Sequence, residues 1–173
     1  MSLIGEFFIL SRDDLDELQK VARPVEKKTR AKFLGFIPIT KSTIEDQFWE
    51  WVDTNSTERI LFDYSGRAIA DLELFLEDRE TPIDQYALKS ESEALTEARG
   101  AFCSVFDREG AQEALKVFSN TDFTQESITE YYAQDGNPQD AAEMLIPLNA
   151  AVDFIRTSLG RVQESQVGLL WVG

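Results

Sequence analysis

Five consecutive residues, Asp63-Tyr64-Ser65-Gly66-Arg67, bring a carboxylate, a phenol, a hydroxyl and a guanidinium into one short stretch, and Asp71 follows one helical turn on. The stretch lies where a strand is expected to feed a helix, a common place for a pocket in mixed folds. The chemistry open to it is recognition of a small polar ligand, or acid–base work by the carboxylates. The commoner use of such residues is structural. Asp63 would accept backbone amides in a turn, and Arg67 would pair with Asp71 at i, i+4.

Two other groups invite the same question. Trp49, Trp51, Tyr131 and Tyr132 are of the types enriched where proteins meet, although most such residues fill a core. Asp71, Glu73, Glu77, Asp78 and Glu80, with Glu91, Glu93 and Glu97, supply carboxylates for a divalent cation or for acid–base work. Their spacing matches no metal-binding loop, so a solvated helix face is expected. Cys103 sits in the apolar run Ala101–Phe106 with no basic neighbour in sequence, and is expected to be an inert core thiol.

The chain contains no histidine. That excludes Ser-His-Asp and Cys-His catalysis, His-based proton transfer and every His-ligated metal site. A single cysteine excludes a disulfide within the chain and a thiolate zinc site. There is no Gly-x-Gly-x-x-Gly and no Walker pattern. No cofactor and no metal is expected.

With 173 residues the chain is expected to form a single domain, 1–173. Its net charge of −15 opposes binding to nucleic acid or to an anionic membrane, since both depend on displacing counterions with cations. The charge serves solubility, or it prepares a surface for a basic partner. No run approaches the ~20 apolar residues of a membrane span. Residues 1–10 lack the charged start of a signal peptide, and a cytoplasmic location is expected.

The elements that must position these groups follow from periodicity. Pro138 to Leu159 reads as the longest helix, with Ala141, Leu145, Leu148, Val152, Ile155 and Leu159 on one face and Met144, Ala151 and Phe154 widening it. Asn137 is its expected cap, Gly160 its left-handed stop, and Pro147 should kink or split it. Val167–Val172 reads as a closing strand, Leu3–Leu10 as an opening one, with Ser11 capping the helix after it. Arg23 to Lys32 carries +4 in this acidic chain and reads as an exposed loop lying against acidic surface of its own fold or of a twin subunit. Phe33–Ile39 reads as an edge strand or a buried loop. Ser42 with Glu45, and Ser90 with Glu93, read as capping boxes opening helices. Ile44, Phe48 and Trp51 or Val52 would line the first of these, followed by a polar loop at 53–57. Arg59–Tyr64 and Ala101–Phe106 read as strands. Arg67–Glu77 reads as a helix with Ile69, Leu72, Phe75 and Leu76 inward. Asp107 opens another through Ala111, Leu115 and Phe118, and Thr124–Tyr132 forms one more. The sum is an α+β domain with a small mixed sheet of four to five strands and about six helices.

The opening, Met1-Ser2-Leu3-Ile4-Gly5-Glu6-Phe7-Phe8 followed by Ser11-Arg12-Asp13-Asp14-Leu15-Asp16-Glu17-Leu18, resembles that of the YfbM-like family of small bacterial proteins of unknown function. Ile44–Trp51 is similar in position to that family's Trp-containing helix, and the long helix, polar loop and terminal strand resemble its end. Family members often carry a His after this Trp, where the chain has Val52-Asp53. The resemblance implies a compact α+β bacterial domain and no particular chemistry. The function expected from all this is non-enzymatic binding of a basic protein, one form being an immunity or antitoxin-type protein. A small-ligand site or enzyme at Asp63–Arg67 is the alternative, and a homo-oligomer is a further possibility.

Overall fold

The computed structural model describes residues 3–33, 37–134 and 138–173, and side chains outside 28–41 and 134–141. The strands are β1 (Gly5–Ser11), β2 (Val25–Phe33), β3 (Ile37–Glu45), β4 (Glu58–Leu61), β5 (Phe102–Asp107) and β6 (Gln166–Val172). The helices are α1 (Leu15–Val21), α2 (Phe48–Asn55), α3 (Arg67–Glu77), α4 (Lys89–Arg99), α5 (Arg108–Asn120), α6 (Gln125–Gln134) and α7 (Pro138–Leu159). This is the expected α+β class. The main sheet has the order β4-β1-β6-β5, and its neighbouring pairs are antiparallel rather than mixed.

Strands β1 and β6 are dense in apolar residues because both of their faces are buried. Phe7 and Ile9 of β1, with Leu170 and Val172 of β6, enter one core beneath α3, α5, α6 and α7. Phe8 and Leu10, with Val167, Leu169 and Trp171, enter a second core beneath α1, α2 and α4. The sheet is therefore the middle of three layers. The two strands approach closely at Gly168, where a Cβ would come within 2.3 Å of the Phe7 ring.

Helix α7 runs through Pro147 as one element. Its buried residues include Leu148, Ala151, Val152, Phe154, Ile155 and Leu159, and it packs against α3, α5 and α6, so more than one side is covered as expected. Ala141, Asn137 and the loop at 135–137 fall outside the described residues or side chains. Gly160 follows the helix without a left-handed φ; the turn is made by the Arg161 amide donating to Ser158 at 3.1 Å. The left-handed glycine is Gly100, φ 63°, which ends α4.

Helix α3 matches its expected span, with Ile69, Leu72, Phe75 and Leu76 buried. It closes with a Schellman pair: the Thr81 amide donates to Leu76 and the Glu80 amide to Glu77, both at 2.9 Å. Glu80 takes the left-handed position, φ 57°. Asp107 caps α5 by accepting the Gly110 amide at 2.9 Å.

Further expectations are corrected. The basic segment at 23–32 is mostly strand β2, which pairs with β3 to form a separate two-stranded hairpin from Val25↔Glu45 to Phe33↔Ile37. Phe33 and Ile37–Ile39 belong to that hairpin. Ser42 and Glu45 lie in β3 and cap no helix: the Ser42 hydroxyl donates to Glu26, and Glu45 pairs with Lys27 at 2.5 Å. Helix α2 starts at Phe48, whose amide is held by Asp46 at 3.1 Å, so Ile44 is exposed rather than inward, and α2 extends into the expected loop as far as Asn55. Finally, α4 begins at Lys89 with no side-chain cap, and Ser92 rather than Ser90 carries its structural hydroxyl bonds. No helix among the described residues is long and apolar enough to cross a membrane.

Candidate functional site

The turn after β4 is fixed by the backbone before any side chain acts. The Phe62 amide donates to Gly5 at 3.0 Å and the Gly66 amide to Leu3 at 2.8 Å, folding the turn back on β1. Ser65, not Asp63, accepts an amide within it, from Arg67 at 3.3 Å. Helix α3 then carries Arg67 and Asp71 away on its own surface, where they pair at 3.6 Å as their spacing predicted.

The constellation therefore divides. Asp63 and Tyr64 line a groove of about 340 Å³ between β4 and α7. Its floor is Ile60, Phe62, Ala150 and Phe154, and Asp153 and Thr157 form its far wall. Phe62 joins the two sides, its ring lying 5.8 Å from Tyr64 and 5.2 Å from Phe154. Neither Asp63 nor Asp153 has an ion-pair partner among the described residues. Arg67 and Asp71 face α6 instead. The Tyr132 hydroxyl donates to Asp71 at 3.4 Å, and burial first, then the Asp71 charge, pushes that phenol above its usual range. A proton-transfer role for Tyr132 at neutral pH is ill served by this shift.

The four aromatic residues also belong to different layers. Trp49 packs on Phe48 at 5.0 Å and on Trp171 at 4.9 Å, and Trp51 joins the same core, so both are half-buried. Tyr131 meets Phe75 and Tyr132, each at 5.2 Å, on the opposite side of the sheet. Trp49, Trp51, Tyr131 and Tyr132 thus fill two cores and form no single binding patch.

Three features escaped the sequence reading. A cavity of about 510 Å³ lies where α4 meets β5, bordered by Asp84, Lys89, Ser92, Thr96, Phe102 and Cys103. Burial pushes the Cys103 thiol up to about 12, so it offers no thiolate there. Glu73, read as part of a solvated acidic face, turns inward. Its carboxylate accepts the amides of Ile83 and Asp84 at 3.4 and 3.1 Å, and burial raises it to about 7 against the opposing pull of those bonds. Buried Glu6 pairs with Arg59 at 2.6 Å, and Arg59 reaches Asp53 at 2.8 Å, which joins β1, β4 and α2. None had a local motif; each depends on partners distant in sequence.

Among the described residues no three Asp, Glu, Cys or His side chains gather as a metal site. What the β4–α7 groove offers chemically is an apolar floor, a phenol and two carboxylates, suited to holding a cationic or extended group. Comparison with models of known families, with characterised proteins and with solved structures gave no match.

Proposed function

We propose that this protein is a non-enzymatic binding protein whose acidic body takes a basic protein partner, one form being an immunity or antitoxin-type protein. The observation that carries this reading is the distribution of charge. The hairpin from Val25 to Glu45 holds five of the 17 basic residues and two of the 32 acidic ones. The body is therefore more acidic than the net −15. Complementary charge accelerates encounter with a basic partner and disfavours nucleic acid and anionic lipid. A bacterial, cytoplasmic setting and the likeness to YfbM-like proteins belong to the same reading.

The test is a capture at low salt followed by affinity measurement of the captured protein across ionic strength. A basic partner whose affinity falls at least tenfold between 0.05 and 0.5 M salt is expected, on the order of what loss of several screened ion pairs gives. An affinity indifferent to salt sinks the proposal.

A second reading, small-ligand binding at the turn, is favoured by one observation: Asp63 and Tyr64 line the groove together. It would use Asp63 without Arg67. Asp63→Asn should then abolish ligand binding while Arg67→Gln leaves it intact; the reverse pattern excludes the groove.

A further inference from the structure

Antiparallel pairing sorts the backbone of an outer strand into two sets. Alternate residues turn both N–H and C=O toward the neighbouring strand, and the residues between turn them outward. In β4 the inward set contains Ile60, opposite Phe7, and is continued by Phe62, whose amide donates to Gly5. Arg59 and Leu61 therefore present their backbone groups outward, and no strand of the sheet lies beyond them.

The other outer strand, β5, is treated differently. The Cys103 amide donates to Thr96 Oγ1 at 3.1 Å, the Val105 amide donates to Ser92 Oγ at 2.9 Å, and the Leu88 amide donates to the Val105 carbonyl at 2.6 Å. Helix α4 thus seals one edge of the sheet, while the β4 edge stays open beside a groove. Leu61 is 58% exposed and Tyr64 44%, and the carboxylates of Asp63 and Asp153 border the same groove. An open edge, apolar contact area and unpaired negative charge together suit an incoming basic strand.

The chain carries such a strand. Strands β2 and β3 pair with each other in a sheet of their own, apart from the main sheet, and the base of the hairpin is exposed at Val25, 57%, and Ile44, 76%. Each strand has nine residues, a length of about 30 Å. Strand β2 carries Lys27, Lys28, Arg30 and Lys32 against the single acid Glu26. The hairpin is the one basic element of an acidic molecule.

We propose that the β2 edge of one copy's hairpin adds to the β4 edge of a second copy. Each copy holds both halves of the contact, so two copies can exchange hairpins reciprocally, or a head-to-tail series can grow. The arm also answers the objection that two acidic bodies repel. Its excess of basic residues, five against two acidic, offsets that repulsion where the hairpin meets the acidic groove. This inference stands apart from the heterologous partner above, since it concerns the purified chain alone.

The experiment is sedimentation of the full chain from low micromolar to several hundred micromolar, at 0.1 and 1 M salt. Mass should rise with concentration at 0.1 M, and association should weaken at least tenfold at 1 M. Leu61→Pro deletes an outward amide and no bond to β1, a position where an edge strand tolerates proline. Joint reversal of Lys28, Arg30 and Lys32 to Glu alters only the arm. Each variant alone should lose association at least tenfold. Mixed, the two should form a one-to-one heterodimer, because one retains the arm and the other the edge. If Leu61→Pro fails to fold, joint reversal of Asp63 and Asp153 to Lys takes its place. A chain that stays monomeric at 0.1 M overturns the proposal, as does association that survives both edge variants, or mixing without recovery. Binding of a short DNA duplex by the arm of a monomeric chain would overturn it too, and would give the hairpin to nucleic acid.

Discussion

Glu73 shows how much one half-buried side chain can weigh. It holds the Ile83 and Asp84 amides at the start of a short 3-10 turn, so it ties α3 to the segment leading into α4. Its carboxyl is raised to about 7, chiefly by burial, from an ordinary 4.5. The folded state therefore holds a proton that the unfolded chain has released, across the interval between those two values. Stability from this residue is full below about pH 4.5 and is lost as pH rises toward 7. Each unit of displacement is worth about 1.4 kcal/mol. Urea unfolding at pH 5 and pH 7.5 should show the native protein losing stability and Glu73→Gln losing less, since Gln keeps the acceptor without the charge. Parallel pH dependence in both proteins would assign the effect elsewhere. Glu80 offers a second residue-scale prediction. It occupies a left-handed position that costs a side-chain-bearing residue on the order of 1 kcal/mol. Glu80→Gly should raise stability by roughly 0.5–1 kcal/mol in the same assay. The sequence showed the Arg67–Asp71 pair because both residues lie on one helix, where spacing dictates proximity. It hid Glu73 and Tyr132 because their partners lie on other elements.

At the scale of elements, long apolar runs were readable and short polar ones were not. β1, β6, α3, α5 and α7 each carry a hydrophobic period that burial enforces. Strand β2 holds four basic residues in nine, so its charge reads like a loop. The Ser42/Glu45 and Ser90/Glu93 patterns show that a capping box is a local possibility which strand pairing or a shifted helix start can override. The seal between α4 and β5 makes a prediction at this scale. Thr96 both accepts from the Cys103 amide and donates to the Cys103 carbonyl at 3.3 Å. Thr96→Val keeps the shape and leaves a buried amide unpaired, a loss of about 1–3 kcal/mol in chemical unfolding. Thr96→Ser should recover most of it. Equal stability of Thr96→Val and the native chain would mean that the edge is held by other bonds.

At the scale of the whole molecule, two properties are separated in space. Apolar side chains gather on both faces of one sheet, and the separate hairpin is the element in which basic residues outnumber acidic ones. The α+β class was legible because it follows from periodicity along the chain. The layer order was not, because it depends on which distant strands become neighbours.

That neighbour choice bears on how the chain is made. The central pair joins Gly5 to Val172, and the Ile4 amide donates to Gly173 at 2.7 Å. On a ribosome, β1 waits for β6 while residues 12–165 are added, on the order of ten to thirty seconds at elongation rates of ~5–20 residues per second. Neither core can close before that strand arrives, because β6 lines both. Until then β4 can cover only one edge of β1, and the other edge of this apolar strand stays unpaired, the kind of segment that chaperones shield and that aggregates without them. The acidic charge that surrounds it in sequence then has a second use, as a repulsive coat on nascent chains that have not yet found their last strand.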